Sequence, residues 1–266
     1  ALLPNANQLG RARFRQVNVD GARTMCKLAA VRGWRRIVFL STVGVLGREV
    51  AGPSTDNTPY REPFDHYTWS KIEAEKTIIE ETRRLKIPSL ILRPANIYGP
   101  NMSFKWPEVF ALIQKGEMKL IGDGNVPFSL IHARDLARAI LISLEDHVAL
   151  APGERITIAS REVLTLREVL SIVARKLNAP PVRSLPKWLI FFAAAALTPL
   201  PSKLRFGRLR HLTLAQVKEL SKGALFDSSR AYKLLGFESV ETFETGIDEA
   251  IQQFRKGRDE NLGNRC

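Results

Sequence analysis

The chain has 266 residues, of which 45% are hydrophobic and 25% charged, and its formal net charge is +13. This composition is ordinary for a globular protein, and the length allows one or two domains with a sizeable core. Cys26 and Cys266 lie near opposite ends of the chain, without the spacing of a metal site or a disulfide framework. We therefore expect a reducing, cytoplasmic compartment and no bound metal.

Predicted helices alternate with short β-rich runs along most of the chain. Gly33 provides a helix stop, and Pro88 separates a helix from a strand. Such alternation predicts parallel strands that are joined by crossover connections. The predicted elements are helix 13–31, strand 36–40, helix 67–85, strand 89–92, helix 107–115, strand 128–131, helix 133–144, strand 155–159 and helix 166–177.

Tyr67 and Lys71 are the first candidate functional residues, four positions apart in a predicted helix. This spacing places both side chains on one helix face, where an ammonium lowers the pKa of a phenol. The pair could then exchange a proton with a substrate hydroxyl. Two exposed helical residues would be the usual explanation of the spacing alone. However, the preceding apolar strand ends in Ser41 and Thr42, and open α/β sheets bind ligands at the carboxyl ends of their strands.

Six segments, taken in chain order, resemble the extended short-chain dehydrogenase/reductase family. Phe39–Gly47 is similar to the family's strand with the catalytic Ser or Thr, and Tyr67–Glu75 to its catalytic helix. Leu92–Pro100 resembles the strand end beside the nicotinamide. The remaining similar segments are Val17–Gly21, Ile131–Ala137 and Phe226–Phe237.

One part of the family pattern is missing from the sequence. The family begins with a strand and a G-x-x-G-x-x-G turn, whose backbone approaches the cofactor pyrophosphate. The segment most similar to this glycine-rich turn is Gly44–Gly47, and it follows the catalytic strand instead of a first strand. We therefore expect an N-terminally truncated sequence that lacks roughly half of the nucleotide-binding unit and is inactive alone. A complete protein without that half would leave an open sheet edge.

The resemblance implies an α/β fold: a Rossmann-type parallel sheet lacking its first strands, with a smaller, mostly helical C-terminal substrate region. A boundary at Asn178–Pro181 would divide the chain into residues 1–180, part of an NAD(P)-binding domain, and residues 181–266, the substrate region. The cofactor is expected to be NAD or NADP, because the residue that distinguishes them follows a strand that this sequence lacks. Whether the protein forms a homodimer is left open.

Three functions are compatible with this resemblance. The first is an NAD(P)-dependent oxidoreductase for a secondary alcohol or ketone, including sterol-like lipids as in the 3β-hydroxysteroid dehydrogenase branch. The second is a nucleotide-sugar epimerase or dehydratase with tightly bound NAD; dehydratases usually carry an acidic pair where this chain has Val43 and Gly44. The third is a non-catalytic NAD(P)-binding regulatory protein, against which the intact Thr42, Tyr67 and Lys71 argue.

The resemblance also implies roles for the matching residues. Tyr67 would be the acid/base, and Lys71 would bind the nicotinamide ribose while lowering the pKa of Tyr67. Thr42 would orient the reacting oxygen. Ser41 would bond the loop and lie beside the cofactor, and Asn18 would support the active site.

A second group of candidates follows the next strand. Pro94 and Ile97 would border the nicotinamide. Asn96 would either contact the substrate or be an ordinary turn residue before Gly99.

Other polar residues near these segments are expected to be structural. His132, with Asp135, would fix a strand-to-helix turn, and His66 would be a helix-start residue. Asp65 could serve as the N-cap of that helix. Glu73 and Glu75 would form the solvated face of the catalytic helix.

The C-terminal part of the sequence combines an apolar run with basic residues. Residues 183–222 hold eight Lys or Arg and one Glu, yet Phe206 is the one aromatic residue in the basic cluster 203–210, so nucleic acid is not expected. Residues 188–200 carry no charge but fall short of the about 20 needed to span a bilayer. This run either packs inside the substrate region or gives a peripheral membrane contact through residues 187–210, with basic flanks at lipid headgroups.

Overall fold

The computed structural model describes residues 1–47, 52–102, 106–197 and 223–263. The chain divides into two compact units whose segments interleave in sequence. The first unit comprises residues 1–98, 129–161 and 225–242, and the second comprises residues 99–128, 162–224 and 243–266. These units are defined by contacts within the chain, whereas the predicted domains are defined by the cofactor and the substrate that they bind. The predicted division at residue 180 therefore stays a prediction.

The first unit is built on a parallel sheet with the strand order β1 (Ile37–Leu40), β2 (Ser89–Pro94), β6 (Glu154–Ile158). Ile37 lies opposite Ser89, and both strand pairs are parallel. A further parallel pair in this unit joins β3 (Asn96–Tyr98) to β5 (Leu130–His132). The predicted α/β fold with parallel strands is confirmed.

Helices cover both faces of this sheet. Side chains alternate along β2, so Ile91 faces one side while Leu90 and Leu92 face the other. Ile91 packs against α2 (Gly21–Arg32) and α3 (His66–Leu85). Leu90 and Leu92 share a core with residues of the helices α5 (Ala133–Ser143) and α8 (Ser229–Leu235). All six residues of β2 are buried, as expected for a parallel strand that is covered on both faces.

The predicted helix over residues 13–31 is divided into three parts. A short α1 (Gly10–Phe14) leads into a π-helical stretch, Arg15–Asp20, and then into α2. Gly33 ends α2 in the left-handed conformation, with φ 62°, which confirms the predicted stop. The π-helical stretch contains Asn18, and such stretches occur frequently at functional sites.

The second unit is mostly helical. Its one described strand pair, β4 (Lys119–Ile121) with β7 (Arg183–Leu185), was not predicted, because three-residue strands are too short to show a periodicity. Thr165 and Glu168 form a capping box at the start of α6. The unit's helices are α4 (Trp106–Gln114), α6 (Leu166–Lys176), α7 (Lys187–Leu197), α9 (Phe243–Gly246) and α10 (Asp248–Gly263).

Helix α7 holds most of the predicted apolar run. It buries Ala194 but exposes Trp188 and Phe192, so it is not enclosed on every side. The rest of the predicted membrane-contact segment, residues 198–210 with its basic cluster, lies outside the described residues. Of the helices that the structure describes, none is both long and apolar enough to cross a membrane.

Candidate active site

Two hydroxyl side chains lie at the carboxyl end of β1. The Ser41 amide donates a hydrogen bond to the Leu92 carbonyl at 2.7 Å, which extends the ladder between β1 and β2. Thr42 caps a short 3-10 turn, Val43–Val45, and its hydroxyl accepts a hydrogen bond from the Gly44 amide at 3.1 Å. The hydroxyls therefore occupy the edge of the sheet where parallel α/β proteins bind ligands.

Tyr67 lies in the first turn of α3 and reaches Thr42. The Asp65 carboxylate caps this helix by accepting a hydrogen bond from the Thr68 amide at 2.6 Å, as predicted. Burial raises the pKa of Tyr67 to about 12; the negative charge of Asp65 adds to this rise, and a hydrogen bond with the Thr42 side chain opposes it. The structure thus brings the predicted acid/base and the predicted orienting hydroxyl together.

Lys71 lies one turn after Tyr67 and is buried. Its ammonium donates a hydrogen bond to the Leu40 carbonyl at 2.8 Å and lies 5.0 Å from the centre of the Phe39 ring. Burial lowers the pKa of Lys71 to about 8, and the charge of Glu75 opposes this fall. The predicted lowering of the pKa of Tyr67 is not found: burial outweighs other influences on the phenol, and the ammonium is directed at the main chain of β1.

Asn18 is connected to the catalytic helix through Ser70. Its amide donates to the Ser70 hydroxyl at 2.9 Å, and that hydroxyl donates to the Tyr67 carbonyl at 2.8 Å. The Asn18 side chain also exchanges hydrogen bonds with the main chain of Leu2. Asn18 is therefore placed to hold the first turn of α3, which carries Tyr67.

Ser41 does not make the predicted bond to the loop. Its hydroxyl is buried and has no hydrogen-bond partner among the described residues. Successive side chains of an extended chain point to opposite sides, so Ser41 faces away from Thr42. A buried hydroxyl without a partner is an available contact for a bound molecule.

The second group of candidates lies in two strands and not in a turn. Pro94 is the buried last residue of β2. Asn96 begins β3, and its side-chain amide donates to the Ser129 carbonyl at 3.0 Å. Ile97 follows with 41% of its surface exposed. The sequence left open whether Asn96 is a turn residue, and the structure shows that it is not, because it begins a strand. Its contact with a substrate stays a prediction.

The two histidines have the structural roles that were expected. His132 is buried and caps α5 by accepting a hydrogen bond from the Arg134 amide at 3.3 Å. Asp135 pairs with Arg138 of α5 at 2.7 Å and accepts hydrogen bonds from the amides of residues 240 and 241, so it ties that segment to α5. His66 is the first residue of α3.

Glu75 corrects a prediction, because it is fully buried and not part of a solvated face. Its carboxylate lies 2.6 Å from the guanidinium of the buried Arg93 and accepts a hydrogen bond from the Tyr60 hydroxyl at 2.9 Å. Only Glu73, beside Lys76 and partly exposed, fits the expected solvated face. The sequence could have indicated that Glu75 is buried, because it follows Tyr67 by eight residues and Lys71 by four and so shares their inward face of the helix.

Asp65 gives a first test of the electrostatics of this site. We expect Asp65→Asn to lower the pKa of Tyr67, because the substitution removes the adjacent negative charge while asparagine still caps the helix. Tyrosine NMR resonances, followed as pH is raised, report this directly. Asp20→Asn, at an exposed carboxylate paired with Arg23, serves as the control. An unchanged Tyr67 titration in folded Asp65→Asn would contradict the prediction.

A parallel sheet with a hydroxyl, a tyrosine and a lysine assembled at its carboxyl edge defines an extended short-chain dehydrogenase/reductase. The family described as the NAD dependent epimerase/dehydratase family matches residues 3–159, and the chain belongs to that family.

Curated relatives extend the similarity beyond that match. The chain is 28% identical over 252 residues to the 3beta-hydroxysteroid-dehydrogenase/decarboxylase isoform 1 of Arabidopsis thaliana, which covers 90% of this chain and 57% of the relative. It is 27% identical over 268 residues to short-chain dehydrogenase/reductase family 42E member 1 of Bos taurus, covering 93% of this chain and 67% of the relative. The chain thus spans little more than half the length of the plant protein.

Among solved structures, DesIV of Streptomyces venezuelae, a dTDP-glucose 4,6-dehydratase with NAD and TYD bound, has a TM-score of 0.71. That likeness covers 97% of this chain and 72% of DesIV at 23% identity, so it shows the fold.

Proposed function

We propose that this chain carries the catalytic residues of an NAD(P)-dependent oxidoreductase that interconverts a secondary alcohol and a ketone. The observation that carries the proposal is the contact between Thr42 and Tyr67 at the carboxyl edge of the sheet, one helical turn before Lys71. These are groups that can bind a carbonyl oxygen and supply its proton. The relatives named as hydroxysteroid dehydrogenases support a sterol-like or other lipid substrate.

The residues present fit the nicotinamide-ribose part of NAD or NADP. The buried Ser41 hydroxyl lacks a partner within the described chain, and the contact to Leu40 uses one of the three N–H donors of Lys71. Pro94 and Ile97 offer apolar surface for the nicotinamide ring. When bound, this cofactor supplies or accepts the hydride.

The side chains of Tyr67 and Thr42 would act on the substrate oxygen. In the direction of reduction, the Tyr67 phenol donates its proton to the oxygen that becomes the alcohol, while the Thr42 hydroxyl orients that oxygen. A pKa near 12 keeps the phenol protonated at neutral pH. Oxidation needs the phenolate instead, so its rate should rise with pH throughout the range below that pKa.

Hydride transfer tests this proposal. In a form of the protein with a complete cofactor-binding half, we expect reduced nicotinamide to be consumed with a sterol-like or other lipid ketone near neutral pH, and to be formed from the alcohol with a rate that rises toward alkaline pH. Absorbance of the reduced nicotinamide is the measurement. Cofactor binding without turnover on any ketone or alcohol would favour the regulatory alternative and contradict the proposal.

A nucleotide-sugar epimerase is the second candidate, because solved structures that share this fold include a UDP-glucose 4-epimerase. Val43 and Gly44, in the 3-10 turn after β1, supply no acidic pair of the kind used by dehydratases. Interconversion of two nucleotide sugars without net consumption of cofactor would favour this candidate over the oxidoreductase.

We also propose that α7 contacts a membrane surface. Trp188 and Phe192 lie four residues apart on one helix face and are 71% and 73% exposed, and Leu189 beside them is 41% exposed. Lys187 begins the helix, and the sequence from residue 203 to 210 adds four basic residues. An exposed apolar face with basic neighbours suits the interface of an anionic bilayer.

Vesicle binding tests the membrane contact. Binding to vesicles that contain phosphatidylserine should weaken as salt rises, because each nearby basic residue contributes about 1 kcal/mol that salt screens. Trp188→Asp with Phe192→Asp should reduce the binding at least about tenfold, since each aromatic side chain loses its burial in the interface.

The matched control for this experiment is Val240→Asp, at an apolar residue that is 70% exposed and lies in the other unit. Its binding should equal that of the parent, and circular dichroism checks that each variant is folded. A folded parent that stays in the supernatant at low salt would rule out the membrane contact.

A further inference from the structure

A buried ionic cluster lies beside the candidate active site and has no place in the chemistry described so far. Glu75 and Arg93 are 0% and 1% exposed. The Arg93 guanidinium contacts the Glu75 carboxylate through Nε and Nη2, at 3.1 Å and 2.6 Å, and donates through Nη1 to the Asp56 carbonyl at 3.0 Å. The Tyr60 hydroxyl completes the cluster by donating to Glu75. These hydrogen bonds to the carboxylate come from β2 and from the loop before α3, and they fix α3 against both.

The cluster is adjacent to Lys71. Glu75 follows Lys71 by one helical turn, so the two side chains occupy the same inward face of α3, and both are buried. Burial disfavours the charged form of Lys71, and the Glu75 carboxylate is the charge that counteracts burial, as the direction of its effect on the pKa of Lys71 shows.

No other titratable group replaces Glu75 in this position among the described residues. The elements around Lys71 present the Leu40 carbonyl and the Phe39 ring from β1, and the amide of Asn18 lies against α3 through Ser70. Other titratable or charged groups on α3 and on the elements packed against it include Tyr67 and Asp65 at the start of α3, Arg93 on β2, Tyr60 in the loop before α3, Arg11 and Arg15 over the Trp69 ring, and Arg23 and Cys26 on α2. Of the charged groups, Glu75 is the one that acts on the pKa of Lys71.

We propose that Glu75 is a positioning residue for Lys71: its buried carboxylate, clamped by Arg93 and Tyr60, keeps the Lys71 ammonium charged and directed at the carboxyl edge of β1. This inference rests on the proposed function, in which Lys71 binds the cofactor ribose as an ammonium. A neutral amine would lose the charge that strengthens those hydrogen bonds. Arg93 in turn compensates the buried carboxylate of Glu75 with an opposite charge at 2.6 Å.

The experiment is an NMR titration of lysine side chains in the 266-residue chain, with the Lys71 resonance assigned by its loss in Lys71→Arg. In the parent, Lys71 should titrate near pH 8. Glu75→Gln keeps the shape of the side chain but removes its charge, so the Lys71 midpoint should fall by at least about one pH unit. The matched control is Glu73→Gln on the same helix, whose carboxylate is partly exposed and paired with Lys76, and it should leave the midpoint unchanged.

A second variant keeps the test decisive if Glu75→Gln does not fold. Glu75→Gln combined with Arg93→Met removes both charges, so the Lys71 midpoint should lie below that of the parent. Where the single variant folds, its midpoint should be lower still, because the unpaired Arg93 then repels the ammonium. A Lys71 midpoint equal to that of the parent in either folded variant would overturn the proposal.

This titration uses no cofactor and no substrate, so its result is independent of whether hydride transfer is detected. If the Lys71 midpoint moves as expected but Lys71→Met leaves cofactor binding unchanged, the proposed role of Lys71 fails while the electrostatic role of Glu75 stands. If cofactor binding depends on Lys71 but the Lys71 midpoint is the same in Glu75→Gln as in the parent, only the positioning role of Glu75 fails.

Discussion

In a form of the protein with a complete cofactor-binding half, replacing Tyr67 with phenylalanine is expected to slow turnover by at least about a hundredfold, the lower end of what a positioned acid or base contributes. The substitution removes the transferable proton and little else, because the ring remains at the start of α3 and Asp65 still caps the helix. Cofactor affinity should survive. Lys71→Met should impair both turnover and cofactor affinity, since its ammonium is proposed to bind the ribose.

The control for this comparison is Tyr232→Phe. Tyr232 also donates a hydrogen bond through its hydroxyl, to the Ala159 carbonyl at 2.8 Å, but it lies on α8 and has no part in the proposed chemistry. Its turnover should equal that of the parent. Substantial residual activity in Tyr67→Phe would refute the proposed proton transfer, whatever the cofactor affinity proves to be.

Replacing Arg93 with methionine is expected to destabilise the protein by about 3–5 kcal/mol, the usual cost of leaving one partner of a buried ion pair uncompensated. The Glu75 carboxylate would lose two charge-assisted contacts in a place that water does not reach. Combining Arg93→Met with Glu75→Gln should restore a large part of that loss, because neither member of the pair is then left as a buried charge without the other. Urea unfolding measures both variants.

An ion pair on the same helix provides the reference for this stability effect, because its arginine is exposed and its carboxylate keeps a second partner, Arg23, when that arginine is replaced. Arg84 contacts Glu81 at 2.5 Å, but its side chain is 57% exposed, so Arg84→Met should cost less than about 1 kcal/mol. Equal losses for Arg93→Met and Arg84→Met would show that the buried pair contributes no more than a surface contact. A double variant less stable than Arg93→Met alone would contradict the compensation argument.

The sequence by itself determined those features that depend on local chemistry and spacing. The apolar run of β1, the capped start of α3 at Asp65 and the left-handed stop at Gly33 are all set by neighbouring residues. The four-residue spacing of Tyr67 and Lys71 gave them a common helix face. Parallel pairing also followed from the sequence, because helices that alternate with short strands require crossover connections.

The tertiary structure alone decided the properties that depend on residues far apart in the chain. Burial, which the whole unit creates, raised the pKa of Tyr67 against the direction that Lys71 predicted. Glu75 was paired with Arg93, 18 positions away on another element, so helix periodicity could indicate its inward face but not its partner. The Ser41 hydroxyl is buried without a hydrogen-bond partner among the described residues, and the packing that buries it is not visible in the local sequence. Desolvation and long-range pairing both depend on residues that are distant in the sequence and come together only in the packed molecule. No local stretch of sequence can therefore predict them.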